Sequence, residues 1–133
     1  MPSEGVVLDS WAWWEILHET SAGRRLAQKY LEPLDARAFT LDLALAEVAA
    51  KLVRAGSAEL VEPALDSIEA ASEVVPISRE AAASAAGLLA DLRRSDPSAS
   101  LADALMLATA RERGVRLVSN DAAFAGLKDV VRA

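Results

Sequence analysis

Cysteine is absent from this 133-residue chain. That excludes disulfides and thiolate-held metals, and it makes a reducing, cytoplasmic setting the expectation. Histidine occurs once, at His18. A pair of histidines sharing acid–base work is therefore ruled out, and a zinc centre would lack its usual nitrogen and sulfur ligands. Neither GxxxxGK(S/T) nor GxGxxG occurs, so no glycine-rich loop is available to cradle a nucleotide phosphate. Aromatic residues make up only 5%, which points to helices packed closely through alanine. Basic residues are outnumbered, with 14 Lys and Arg against 20 Asp and Glu and a net charge of -6. This argues against a protein that grips nucleic acid by bulk charge. No apolar run reaches membrane-spanning length. Met1 to Gly5 places no cationic segment before an apolar one, so it does not read as a secretory signal.

What is present is 53% hydrophobic sequence, enough for one core. A single domain over residues 1–133 is expected. Gly5-Val6-Val7-Leu8 reads as a buried strand, followed by helices over Trp11 to His18 and Ser21 to Leu31. Pro33 ends that pair. Ala36 to Phe39 is a second strand candidate, and Thr40 and Asp42 read as helix-start residues. Helices are predicted over Asp42 to Ala55, Ser57 or Ala58 to Ser72, Ser78 to Arg94 and Ser100 to Gly114. Short extended pieces are predicted at Val74 to Ile77, Val115 to Val118 and Lys128 to Val131, with a short helix near Ala122 to Ala125. Strands alternating with helices give an α/β fold: a single three-layer α/β/α sandwich around a parallel sheet of four to five strands. Ligands in such sheets sit beyond the C-terminal strand ends.

Four carboxylates interrupt that pattern. Asp9 follows Val6-Val7-Leu8, and Asp121 follows Leu117-Val118 by three positions. Asp103 is the only charge between Leu101 and Ala110, a helix apolar all round and hence expected to be buried. Glu47 stands alone among Leu43, Ala44, Leu45, Ala46, Val48, Ala49 and Ala50. A buried carboxylate is costly unless it is paired, hydrogen-bonded or metal-bound. Clustered acids repel one another, and a hard divalent cation such as Mg²⁺ or Mn²⁺ relieves that repulsion through oxygen ligands. Each acid also has a local explanation. Asp9 and Asp121 could cap the helices that follow, Ser100-x-x-Asp103 resembles a capping box, and Glu47 could pair with Lys51.

In order and spacing, four segments resemble the PIN-domain family, and within it the VapC-type toxins of toxin–antitoxin pairs. They are Val6-Val7-Leu8-Asp9-Ser10, Leu45 to Leu52 around Glu47, Ser100 to Ala110 around Asp103, and Gly114 to Asp121 followed by Phe124. The resemblance covers essentially the whole chain. It implies a parallel sheet flanked by helices and Mg²⁺- or Mn²⁺-dependent hydrolysis of RNA by a metal-activated water. It also implies homodimerisation and inhibition by a cognate antitoxin protein. By position, Asp9, Glu47, Asp103 and Asp121 are the acidic quartet. Ser119 matches the small hydroxyl residue two places before the fourth acid, able to hydrogen-bond a carboxylate or bound water. Ser10 and Asn120 are further candidates around it. Trp11, Trp13 and Trp14 stand where the family more often has smaller aliphatics.

The tryptophans cannot all point one way on one helix. Trp11 and Trp14, at i,i+3, could pack inward with Trp13 exposed, or the cluster could contact an antitoxin or a second copy of the chain. His18 reads as a surface or packing residue. Of the basic residues, Arg93-Arg94 before the loop Ser95 to Ser98 is the best placed for an RNA or antitoxin contact. Two other classes stay open: a catalytically inactive PIN-like module that binds RNA or protein, and a receiver-like phosphoacceptor using Asp9. The latter would keep its acids near the first strand, whereas Glu47 and Asp103 fall inside helices.

Overall fold

A computed structural model describes residues 5–132; the start of the segment read for a secretory signal, residues 1–4, lies outside them. The chain runs β1 (Val6–Leu8), α1 (Ser10–Leu17), α2 (Ser21–Tyr30), β2 (Ala38–Leu41), α3 (Asp42–Arg54) and α4 (Val61–Ala71). It continues through β3 (Glu73–Val75), α5 (Arg79–Ser95), α6 (Leu101–Glu112), β4 (Arg116–Val118) and β5 (Val130–Val131). A 3-10 turn, Ala58–Leu60, precedes α4, and another, Ala122–Phe124, follows β4.

The five strands lie in the order β3-β2-β1-β4-β5, all parallel. Successive side chains of a strand face opposite ways, and the two cores divide accordingly. Val7, Phe39 and Leu117 pack with Ala85 and Leu92 of α5 and with α6. Val6, Leu8, Ala38 and Val118 pack with Trp13 of α1, Leu26 of α2, Leu52 of α3 and Ile68 of α4. The expected three-layer α/β/α sandwich is therefore the observed one.

Chain order reverses at β1. The path leaves it for β2 and β3 on one side and returns to β4 and β5 on the other. The C-terminal ends of β1 and β4 thus form the switch point where such sheets open a crevice. Asp9 lies directly after β1, and its amide donates to the Val118 carbonyl of β4 at 3.3 Å.

Several expected boundaries moved; the last strand, for one, is Val130–Val131 rather than Lys128 to Val131. The second strand is Ala38–Leu41, not Ala36 to Phe39, and Thr40 belongs to it rather than to the start of a helix. All four β2 residues are buried, so no polar alternation marks the strand. Thr40 is satisfied inside the core, its hydroxyl accepting from Trp13 Nε1 at 2.9 Å and lying 2.7 Å from Ser72 Oγ. Strand β3 stops at Val75, because Pro76 has no N–H to extend the ladder.

Candidate active site

Four elements bring one acid each to the switch point. Asp9 is the N-cap of α1, where its Oδ1 accepts from the Ala12 amide at 2.8 Å. Glu47 projects from α3, with the Ser10 hydroxyl as its hydrogen-bond donor. Asp103 sits in the first turn of α6 and completes a capping box. Its amide donates to Ser100 Oγ at 3.1 Å, and its Oδ2 accepts from the Ser100 amide at 2.9 Å. Asp121 caps the 3-10 turn after β4, Oδ1 accepting from the Ala123 amide at 2.9 Å. All four line one cleft of about 480 Å³, together with Ser10, Trp11, Ser98, Ser100, Asn120.

The capping readings are therefore correct for the three aspartates, and they do not compete with the cleft. A cap occupies one carboxylate oxygen and fixes the side chain at a helix N-terminus, where negative charge is favoured. Asp103 is not enclosed within the apolar helix, as its sequence context suggested. Residues Ala104 to Ala110 are buried, while Asp103 is half-buried at the helix entrance. The pairing of Glu47 with Lys51 is absent. Lys51 instead places its ammonium 4.3 Å above the Trp14 ring. Among the described residues the ion pairs are Arg94–Asp91 and Arg111–Asp129.

Ser119 is fully buried beneath the cleft. It accepts from the Asp121 amide at 3.2 Å and hydrogen-bonds the Asp9 carboxyl, tying the first acid to the fourth. Burial pushes the Asp9 carboxyl up to about 6. The hydrogen bonds from Ser119 and Ala12 work against this, and the charges of Glu47 and Asp103 add to it. Glu47 is raised by burial and then by Asp103; Asp103 is raised by burial and also by Asp121. Asp9, Glu47 and Asp103 are thus each held in the field of another acid, the condition that favours a bound cation.

Among the described residues, no three carboxylate or imidazole groups already stand close enough together to hold a metal ion. A hard cation does not require that, because Mg²⁺ keeps several waters and takes one or two carboxylates. The all-oxygen donor set, with one acid buried among like charges, fits such an ion. A roomier groove of about 620 Å³ between α5 and α6 has no buried acid in its walls.

The tryptophans fall opposite to the simplest reading of their spacing. Trp13 points inward at 1% exposure, while Trp11 and Trp14 are half-buried. Helix α1 contacts α2, α3 and β1, so it has more than one covered face and i,i+3 spacing does not select the inner one. Trp11 in the cleft wall escaped the sequence reading, although its place two residues after Asp9 was the available signal. His18 is exposed, bonded to the Trp14 carbonyl and stacked on its ring at 4.2 Å. Arg93 holds the loop before α6 by donating to the Ala99 carbonyl at 3.0 Å, and Arg94 lies 3.8 Å from Asp91.

The family profile described as PIN domain matches residues 6–130. The chain belongs to the PIN-domain family. Solved structures share its fold. One is a toxin–antitoxin complex from Klebsiella pneumoniae, at 23% identity over 95% of each chain and a TM-score of 0.67. A second is VapBC2 from Rickettsia felis bound to a promoter DNA fragment, at 15% identity over 97% of each chain and a TM-score of 0.75. A third is VapC20 of Mycobacterium tuberculosis, described as a sarcin–ricin loop cleaving toxin. It is 20% identical over 96% of this chain and 99% of that one, with a TM-score of 0.70. No curated protein matches the sequence.

Proposed function

We propose that this chain is a metal-dependent endoribonuclease acting as the toxin of a toxin–antitoxin pair. One observation carries the reading. In a PIN-family chain, four carboxylates from four elements line a single cleft at the switch point of the sheet, with Asp9 buried among them. Asp9, Glu47, Asp103 and Asp121 would hold Mg²⁺ or Mn²⁺. When bound, such a cation lowers the pKa of water and neutralises charge on a phosphate.

The residues divide the remaining work. Asp9 and Asp103 are fixed by caps and set the position of the site. Ser119 orients the Asp9 carboxyl and, by donating to it, keeps it ionised at lower pH than burial alone would allow. Glu47, held by one hydroxyl and raised in pKa, accepts the proton of the water that attacks phosphorus. The new P–O bond forms to that water's oxygen as one P–O ester bond breaks, and the leaving ester oxygen takes a proton from solvent water. The same reading carries a cognate antitoxin, a homodimer and a cytoplasmic location; among the described residues, no helix is long and apolar enough to cross a membrane.

The test is cleavage of a panel of RNAs by the purified chain with Mg²⁺ or Mn²⁺, with and without EDTA. Cleavage that EDTA abolishes and that Asp9→Asn and Asp103→Asn lose while staying folded is the expected outcome. Unchanged metal-dependent cleavage in both variants contradicts the site. The second reading, an inactive PIN-like binding module, is favoured by the net charge of -6. It predicts no cleavage of any RNA at any metal concentration.

A further inference from the structure

We propose that Trp11 is a stacking platform for one unpaired nucleobase of the RNA held in the acid cleft. The inference rests on the ribonuclease reading above.

The three tryptophans of α1 differ in what covers them. Trp13 is enclosed, and its indole N–H is bonded to Thr40. Trp14 is covered by the His18 ring and the Lys51 ammonium. Trp11 is half-buried, packs partly on the core to which α1 to α4 contribute, and is one of the residues that line the acid cleft. Among the described residues no ring, cation or hydrogen-bond partner meets its indole. Among the described residues it is also the only aromatic that lines the cleft.

The rest of the cleft wall makes that surface significant. Among the described residues its other side chains are carboxylates, hydroxyls and the Asn120 carboxamide; no lysine or arginine lines it, and Arg132 donates to the Asn120 backbone carbonyl at 3.5 Å. A polyanion arriving there meets four acids, and only a cation offsets their repulsion. A contact indifferent to charge adds to what the hydroxyls and the Asn120 carboxamide can hold by hydrogen bonds. Stacking on an indole is such a contact, and it works for any base because every base has a π-face. In a duplex both faces of a base are already stacked, so only an unpaired base can lie on the ring. A tryptophan anchoring a protein partner is the competing use of an exposed indole. Around Trp11 the described wall is carboxylates, hydroxyls and a carboxamide, which gives the apolar core of a protein interface nothing further to pack on.

The experiment compares the unmodified chain with Trp11→Ala, Trp11→Leu and Trp11→Phe in steady-state cleavage of single-stranded RNA oligonucleotides with Mn²⁺. A matched series carries one abasic nucleotide at each position in turn. The expected result is a KM raised about 5- to 150-fold in Trp11→Ala, with kcat changed far less. Trp11→Phe recovers most of the loss and Trp11→Leu does not. One abasic position reproduces the loss in the unmodified chain and adds nothing in Trp11→Ala. An active chain whose KM is unchanged in Trp11→Ala overturns the inference and leaves the ribonuclease reading standing. So does equal recovery by leucine and phenylalanine, which would make Trp11 a packing residue. Absence of cleavage by the unmodified chain on every RNA overturns the ribonuclease reading itself, and this inference with it.

Discussion

The Asp9 carboxyl receives hydrogen bonds from Ser119 and from the Ala12 amide, and both favour its ionised form, yet burial outweighs them and lifts it to about 6. Unfolded, the same group titrates near 3.8. Between these values the folded state holds the extra proton, so stability without metal is greatest below about pH 4 as far as this group is concerned. It falls as pH rises through 6. The loss is on the order of 3 kcal/mol, and the raised Glu47 and Asp103 push the same way. Melting followed by circular dichroism in EDTA should therefore give a lower Tm at pH 7.5 than at pH 5. Asp9→Asn should raise the Tm at pH 7.5 and flatten the slope, and a slope unchanged in that variant would refute the assignment. Activity should run the other way. Metal ligands must be deprotonated, so cleavage at limiting Mn²⁺ should climb with pH through about 6. Ser119→Ala, lacking the donor that lowers Asp9, should move that climb to higher pH in a pH–rate profile.

Helices hold the acids in place, and their ends are where the site is vulnerable. Ser100→Ala removes the side-chain half of the α6 capping box and should cost about 1 kcal/mol in a urea titration. It should also weaken Mn²⁺ binding, because Asp103 loses the hydroxyl that accepts from its amide. Gly23 lets α2 cross α1 at backbone contact; a Cβ there would collide with the Glu15 carbonyl. Gly23→Ala should therefore destabilise the fold by about 3 kcal/mol or more, displacing the helix that Asp9 caps.

These elements also mark what the sequence could reveal. Strands β1 and β4 were legible because apolar runs end abruptly in Asp9 and Ser119. The α5 and α6 starts were legible from Ser78 and Ser100, both of which cap by side chain. Strand β2 was displaced because nothing local reveals that Thr40 finds its partners at Trp13 and Ser72. The inward face of α1 was not legible for a related reason, since a short helix contacted by a strand and two helices carries no single apolar stripe. Trp13→Ala, which empties that site, should cost about 3–5 kcal/mol, measurable by chemical denaturation.

At the scale of the molecule, topology sets the position of the site and charge sets its manner of binding. The strand order opens the sheet between β1 and β4, and the order of the acidic segments along the chain already matched that architecture. Sequence spacing conveyed which residues meet. It also conveyed the caps at Asp9 and Asp121 and the capping box at Ser100 and Asp103; what it did not convey is that capping and lining the cleft are compatible, because capping is read from local contacts and convergence from distant ones. With a net charge of -6 and no lysine or arginine among the described residues of the cleft wall, binding should release few counterions. Raising NaCl from 50 to 200 mM should change KM for RNA by less than about tenfold, against the far steeper loss of a basic binder. The central claim is that the four acids make one cation site, and calorimetric titration of Mn²⁺ at neutral pH tests it most directly. The account predicts saturable binding to the unmodified chain, weakened at least about tenfold in folded Asp9→Asn and Asp103→Asn. Equal affinity in all three proteins, or no binding to the unmodified chain, would contradict it.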